Sequence, residues 1–240
     1  MVILSFLCSY SNTFAQTQVP DYVKQFLKDH PNPPGTFFDL KEAKRRPLKV
    51  IELDLAVLKE IPEEIRSFKN LEVLHITQSE ISELPIWLLE LKKLKRLTLD
   101  CNLTNFPDFI FDIKSLVYID LSGNNIQRFT INGIKNNHLK ELDMSFNRMT
   151  EIPDCFSNLQ SLEILRIENN SLTTISKVIG DMKSLKFLYL YRNKIYDYDD
   201  HMINAKNLEG LFIQDNPISD FKVNELRLLL PNCKINHEAY

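Results

Sequence analysis

Apolar residues recur along most of the chain with a period of 22 or 23 residues, and eight copies of the pattern can be aligned. Each copy starts with an apolar residue and has two more, three and five positions later. Alternate residues of a strand share one face, so this pattern predicts a short strand with one buried side in every copy. A unit of this size cannot bury that side alone, and stacked copies are expected to form one parallel sheet. The eight starts are Leu48, Leu71, Leu94, Leu116, Leu139, Leu162, Leu185 and Leu208.

The first copy is aligned on its start at Leu48. Counting from Leu48, the pattern places Ile51 and Leu53 on the buried side of the strand and Val50 on the exposed side.

An asparagine stands eight positions after the start in six of the eight copies. Its amide is expected to satisfy backbone groups in the turn after each strand, so that the six side chains form a buried polar column. The third copy is one residue shorter than the others, and Asn102 in that copy also begins an Asn-x-Thr sequon. Because we expect Asn102 to be buried, we interpret the sequon as coincidental. The column consists of Asn102, Asn124, Asn147, Asn170, Asn193 and Asn216.

Several copies continue with an apolar residue and a proline, such as Ile152-Pro153, followed by the spacing of a short helical turn. Over residues 48–221 the pattern resembles that of the leucine-rich repeat family, LxxLxLxxNxLxxLPxxIxxLxx. The resemblance implies an α/β fold, a right-handed solenoid or horseshoe, with a parallel sheet on the concave face and short helical or 3-10 turns on the convex face. Neither end has the cysteine cluster of animal extracellular members, which indicates a bacterial or intracellular lineage.

The segments outside the repeats suggest caps and an export signal. We interpret residues 1–15 as a signal peptide, 16–47 as an N-terminal helical cap, 48–221 as eight repeats and 222–240 as a C-terminal cap. The signal peptide is inferred from a short apolar stretch followed by the small residue Ala15 before Gln16. It predicts an exported protein, secreted, periplasmic or on the cell surface. The alternative is a cytoplasmic protein, because no Lys or Arg precedes the apolar stretch.

Composition and known motifs argue against several classes of function. The net charge is −3, and no apolar run is long enough to span a membrane, so we expect neither nucleic acid as a partner nor a membrane span. The chain has no GxSxG, HExxH, CxxC or glycine-rich phosphate loop, and its five histidines are scattered. We therefore expect no enzymatic activity, no cofactor and no metal site.

The exposed positions of the predicted strands suggest a binding surface. The middle copies carry carboxylates there, and the last three copies carry aromatic residues, which are typical of binding hot spots. The alternative is a solvated acidic face with aromatic rings that only pair across strands. The predicted ligand-binding residues are Tyr118, Asp120, Asp143, Ile164, Arg166, Phe187, Tyr189, Tyr191 and Phe212.

From these patterns we predict a non-enzymatic module that recognises a protein ligand through its concave face. One alternative is a glycan-binding surface protein, in which tyrosine and phenylalanine rings stack on sugars. Another is an intracellular adaptor, if the N-terminus is not a signal peptide. An enzyme or an enzyme regulator has no local motif to support it, and the sequence leaves open whether the acidic residues bind a cation such as calcium.

Overall fold

A computed structural model describes residues 33–127, 134 and 138–238 of the chain. The chain divides into two compact units, Met1–Asn102 and Leu103–Tyr240, which are described separately. The predicted signal peptide, the cleavage position before Gln16 and the first half of the predicted N-terminal cap lie outside the described residues.

From residue 33 onwards, where the structure describes the chain, the first unit has four parallel strands that are adjacent in chain order: β1 (Thr36–Phe37), β2 (Glu52–Ala56), β3 (Val73–Thr77) and β4 (Arg96–Leu99). A short helix, α1 (Leu40–Ala43), begins after Asp39, whose carboxylate accepts the Glu42 amide at 2.8 Å in a standard N-cap. The chain returns between strands through 3-10 turns at Pro47–Lys49, Glu63–Ser67 and Ile86–Glu90.

The predicted register of the first repeat is wrong by two residues. Leu53 pairs with Leu74, Val50 is fully buried, and Leu48 and Ile51 are 68% and 44% exposed. This repeat therefore begins at Val50, with Leu53 and Leu55 as its buried pair. A shift by two residues keeps the same face of a strand inside, so apolar alternation alone did not distinguish the two registers.

The described residues of the second unit form eight short strands: β5 (Tyr118–Asp120), β6 (Glu141–Asp143), β7 (Ile164–Arg166), β8 (Thr174–Ile175), β9 (Phe187–Tyr189), β10 (Asp197–Tyr198), β11 (Gly210–Phe212) and β12 (Lys234–Asn236). Six of them form a parallel sheet in the order β5-β6-β7-β9-β11-β12. The other two, β8 and β10, pair with each other in parallel. They lie in the return segments of the sixth and seventh repeats, which lack the usual proline.

The return segments that the structure describes in the second unit include three short turns and one short helix. Three-ten turns occupy Asp108–Asp112, Asp154–Asn158 and Asp200–Asn204, and α2 (Val178–Asp181) stands in the sixth repeat. Gly180 in α2 approaches the backbone of the Asp200–Asn204 turn so closely that an added Cβ would overlap the His201 carbonyl oxygen. This glycine therefore allows two neighbouring return segments to pack together.

The last helix, α3 (Asp220–Leu229), closes the second unit and is followed by the edge strand β12. Ser219 caps it by accepting the Lys222 amide at 3.3 Å, and Val223 and Leu226 are its buried residues. The helix begins two residues before the C-terminal cap predicted over residues 222–240, because the Ser219 cap fixes its start.

The core follows the predicted alternation in the second to eighth repeats. Each strand contributes two fully buried apolar side chains three and five positions after the repeat start, and the residues between them remain partly exposed. Together with the parallel sheets and the short return turns, this confirms the α/β solenoid class within each unit. The buried pairs are Leu74/Ile76, Leu97/Leu99, Ile119/Leu121, Leu142/Met144, Leu165/Ile167, Leu188/Leu190 and Leu211/Ile213.

Candidate functional site

The solvent-facing side of β5, β6, β7, β9 and β11, here called the strand face, carries almost all the residues predicted to bind a ligand. Their side chains are partly exposed because they alternate with the buried pair of each strand. Tyr191 lies just beyond the end of β9. The residues on the strand face itself are Tyr118, Asp120, Asp143, Ile164, Arg166, Phe187, Tyr189 and Phe212.

Three of these side chains form a continuous stack across neighbouring strands, here called the aromatic stack. The register of the sheet places Arg166, Tyr189 and Phe212 side by side. The Arg166 guanidinium carbon lies 4.2 Å from the centroid of the Tyr189 ring. On the other side, the Tyr189 and Phe212 rings are 2° from parallel with centroids 4.4 Å apart. Such a cation–π and ring–ring arrangement holds the three side chains in one orientation.

Gly210 provides the space that this arrangement needs. A Cβ built on Gly210 would lie 2.9 Å from Cδ1 of Phe187 and 3.0 Å from Cε2 of Phe212. The two rings therefore lie against the bare backbone at the start of β11. Sequence reasoning gave Gly210 no role, although the signal was a single glycine at a strand position where the other repeats carry a side chain.

Two carboxylates meet at the other side of the strand face. Asp120 and Asp143 are partners in the register of β5 and β6. Each accepts the backbone amide two residues later at 2.9 Å, and the Tyr118 hydroxyl lies 3.3 Å from Oδ2 of Asp120. Burial, followed by the negative charge of Asp120, raises the pKa of Asp143 to about 6. Asp143 thus holds its negative charge less readily than an ordinary aspartate.

Glu168 and Gln214, near the ends of their strands, are more deeply buried than sequence reasoning indicated. Each side chain is 5% exposed. Oε1 of Glu168 accepts the Tyr191 hydroxyl at 3.1 Å, whereas Oε2 of Glu168 and Oε1 of Gln214 are buried with no hydrogen-bond partner among the described residues. Burial also raises the pKa of Glu168. Because buried polar atoms are nearly always hydrogen-bonded, two unpaired acceptor oxygens are an exception that a ligand would explain.

The sequence did not mark Glu168 and Gln214 as site residues, because six positions after the repeat start a side chain is expected to face solvent. The feature of the sequence that could have indicated their role was the length of the two side chains. The fourth and fifth repeats carry Ser122 and Ser145 at this position, and longer polar side chains stand there in the sixth to eighth repeats.

The strand face is negatively charged overall. Its only cation is Arg166, whose Nε lies 3.2 Å from Oε1 of Glu141. The carboxylates on or at the end of these strands are Asp120, Glu141, Asp143 and Glu168.

The asparagine side chains join consecutive repeats. Oδ1 of Asn147 accepts the Ile126 amide at 2.9 Å, and its Nδ2 donates to the Leu121 carbonyl at 2.9 Å. Asn170, Asn193 and Asn216 repeat this pattern, and Oδ1 of Asn124 accepts the Leu103 amide at 3.1 Å. These five asparagines satisfy backbone groups of the turns, as their residue type suggests.

Asn102 does not belong to this column, which corrects the sequence prediction. Its side chain is exposed, and Cys101, one residue earlier, is buried instead. The third repeat is shorter because its missing residue precedes the asparagine, and the spacing between repeat starts does not reveal that position. In the second repeat, Ser79 takes the role of the asparagine, because its hydroxyl accepts the Leu58 amide at 3.0 Å.

Residues 33–127, 134 and 138–238 contain no group of three or more His, Cys, Asp or Glu residues arranged to hold a metal ion. Within the same part of the chain, no helix is both long enough and apolar enough to cross a membrane.

Comparisons of sequence identify the repeats. Sequence models described as "Leucine rich repeat" and "Leucine Rich Repeat" match residues 137–195 and 115–137. The chain is 31% identical over 128 residues to the volume-regulated anion channel subunit LRRC8E of Xenopus tropicalis, covering 50% of this chain and 16% of that protein. It is 34% identical over 110 residues to lumican of Rattus norvegicus, covering 43% and 32%. The chain thus spans a third or less of the length of these relatives.

Comparisons of structure agree with this assignment. A leucine-rich repeat protein of Leptospira interrogans matches with a TM-score of 0.60 and 28% identity, over 82% of this chain and 56% of that one. Internalin C2 of Listeria monocytogenes matches with a TM-score of 0.65 and 23% identity, over 80% and 82%. The plant peptide hormone receptor RGFR1, in complex with RGF2, matches with a TM-score of 0.61 and 23% identity, over 80% and 32%. These structures share the fold. The leucine-rich repeat models matched over residues 115–195, together with the repeat of 22 or 23 residues along the chain, place the chain in the leucine-rich repeat family.

Proposed function

We propose that the chain is an exported, non-enzymatic module that binds another protein through the strand face of its second unit. The observation that carries the proposal is the aromatic stack, an ordered and partly exposed row of Arg166, Tyr189 and Phe212. Arginine and aromatic residues are enriched among the residues that contribute most to protein–protein affinity.

Structural neighbours support a binding role for this fold. The matched plant receptor was solved in complex with RGF2, and another neighbour is Toll in its complex with Spatzle. A third neighbour is TLR13 bound to a single-stranded RNA. For this chain a nucleic-acid ligand is disfavoured, because the strand face carries four carboxylates against one guanidinium and would repel phosphates.

The geometry of the aromatic stack favours a protein ligand over a glycan. A sugar ring is recognised by stacking on a free aromatic face. The ring of Tyr189 lies between Arg166 on the neighbouring strand and Phe212 on the other, so both of its faces are covered. What Tyr189 offers to a ligand is the edge of its ring, which suits the irregular apolar side chains of a protein.

The proposal is tested by affinity capture with the full chain as bait, beside two variants. Truncating one aromatic anchor typically costs about 2 kcal/mol, so Tyr189→Ala should weaken binding of a captured protein about thirtyfold. Lys114→Ala/Lys183→Ala, which changes two exposed residues of the return segments, should bind like the wild type. Surface binding kinetics with the captured protein measures the difference. A partner lost with the lysine variant and kept with Tyr189→Ala would contradict the strand-face assignment.

A further inference from the structure

We infer that the protein segment bound by the strand face presents a basic side chain that is held between Asp143 and Glu168, close to an apolar side chain that packs on the aromatic stack. This inference rests on the proposed function and specifies the chemistry of its ligand.

The strand face carries more negative than positive charge. Asp120 and Asp143 lie side by side on β5 and β6, and like charges at such positions disfavour the folded state. Arg166 is the neighbouring cation, but its Nε is directed to Glu141 at 3.2 Å and its guanidinium lies over the Tyr189 ring. The negative charge of Asp120, Asp143 and Glu168 is therefore only partly balanced within the free protein. A cationic group of a ligand is its natural complement.

The carboxylates of Asp143 and Glu168 differ in their hydrogen bonds. Oδ1 of Asp143 accepts the Ser145 amide, and the Ser145 hydroxyl also donates to this carboxylate. Oε2 of Glu168, in contrast, is buried and has no hydrogen-bond partner among the described residues. It is an acceptor, and lysine and arginine side chains offer only donors. The Tyr191 hydroxyl fixes the Glu168 carboxylate through Oε1, so that its orientation is set before a ligand arrives.

Glu168 is buried in the free protein. Glu168 is 5% exposed, so a charge-assisted hydrogen bond from a cation to its carboxylate is largely shielded from bulk water. Such a bond is strong, and a buried carboxylate left without it is costly to the protein. The position therefore discriminates between a ligand with a basic side chain and one without.

The separation of Asp143 and Tyr189 across the sheet determines the spacing of the two recognised residues in the ligand. Asp143, Arg166 and Tyr189 occupy the same position of β6, β7 and β9, so Asp143 and Tyr189 are two strands apart. At about 4.8 Å per strand this separation is roughly 10 Å, which is spanned by about three residues of an extended peptide. The ligand segment should therefore carry its apolar residue two to four positions from its basic residue.

Binding of a cation should depend on pH, because protonation removes the charge of Asp143. Asp120, Glu168 and Arg166 are the charged groups that face it, and the pKa of Asp143 in the free protein is about 6. A bound cation favours the ionised carboxylate, so affinity should be highest above that pH and fall below it.

The experiment is a selection of phage-displayed random dodecapeptides on the immobilised full chain at neutral pH. Individual peptides are then measured against the wild type and the variant Asp143→Asn/Glu168→Gln, which keeps the shape of both side chains. A matched control, Glu151→Gln/Asp154→Asn, removes two carboxylates from exposed positions of a return segment. The selected peptides should share an arginine or lysine two to four positions from an aromatic or aliphatic residue. The carboxylate variant should bind them about thirtyfold less tightly and the control unchanged.

The outcomes separate this inference from the proposed function. Peptides without a basic residue, peptides indifferent to the carboxylate variant, or a selection that yields no peptide would each overturn the inference. If such indifferent peptides are lost with Tyr189→Ala/Phe212→Ala, the strand face remains a protein-binding surface. If the peptides bind both the carboxylate variant and Tyr189→Ala/Phe212→Ala as tightly as they bind the wild type, the proposed function fails as well. Thermal melting of each variant verifies folding, and Asp143→Asn alone carries the test if Glu168→Gln does not fold.

Discussion

At the scale of the residue, Asp143 combines a binding role with an unfavourable charge. Its pKa is raised from the ordinary value of about 3.9 to about 6 by burial and by Asp120. Between those two pH values the folded chain binds more protons at this site than the unfolded chain does. The free energy of unfolding contributed by this group therefore falls as pH rises from about 4 to about 6, and is constant above.

Asp143→Asn should remove that dependence and raise the stability of the protein at neutral pH. The measurement is the urea midpoint of the wild type and the variant over a series of pH values that spans the raised pKa. Asp154→Asn, an exposed carboxylate of a return turn, is the control and should leave the pH profile unchanged. Parallel profiles for the wild type and Asp143→Asn would show that the pKa of Asp143 is not raised.

Two asparagines of identical chemistry should differ in their effect on stability. Asn147→Ala leaves the Ile126 amide without its side-chain acceptor and removes one of the two side-chain hydrogen bonds to the Leu121 carbonyl, so it should cost about 1–3 kcal/mol. Asn102→Ala changes an exposed side chain and should stay within about 0.5 kcal/mol. Chemical denaturation followed by circular dichroism compares them, and an equal loss for both variants would restore Asn102 to the column.

At the scale of the element, the sequence predicts most of the strands because their buried pairs recur at a fixed spacing. It fails where the spacing carries no information about position. The first repeat is offset by two residues without changing its buried face, and the residue missing from the third repeat precedes Asn102. The burial of Glu168 was not predictable either, since it depends on Tyr191 in the next repeat rather than on any pattern within its own strand.

The packing of two return segments gives a prediction at this scale. Gly180→Ala places a methyl group against the His201 carbonyl, which is backbone and cannot rotate away. We expect a clear fall in melting temperature, because overpacking of a tight contact typically costs about 1–3 kcal/mol. Lys177→Ala, at the exposed start of the same helix, is the control. An unchanged melting temperature for Gly180→Ala would mean that α2 and the Asp200–Asn204 turn are free to separate.

At the scale of the whole molecule, the proposed export determines in which compartment the strand face encounters its partner. If residues 1–15 are a signal peptide, protein purified from the native host should begin at Gln16. N-terminal sequencing of that material, with the recombinant cytosolic chain as a control, makes the measurement. A native protein that retains Met1 would move the search for the partner to the cytoplasm.

The asparagine column also has a direction. Oδ1 of Asn147 accepts a hydrogen bond from the backbone amide 21 residues earlier, and its Nδ2 donates to the carbonyl 26 residues earlier. Asn170, Asn193 and Asn216 make the same two hydrogen bonds. A turn of one repeat is therefore completed only by the repeat that follows it. During translation the N-terminal end emerges first. Each newly emerged repeat must then wait for the ribosome to deliver the next one before its turn is satisfied, so folding should follow synthesis with a lag of one repeat.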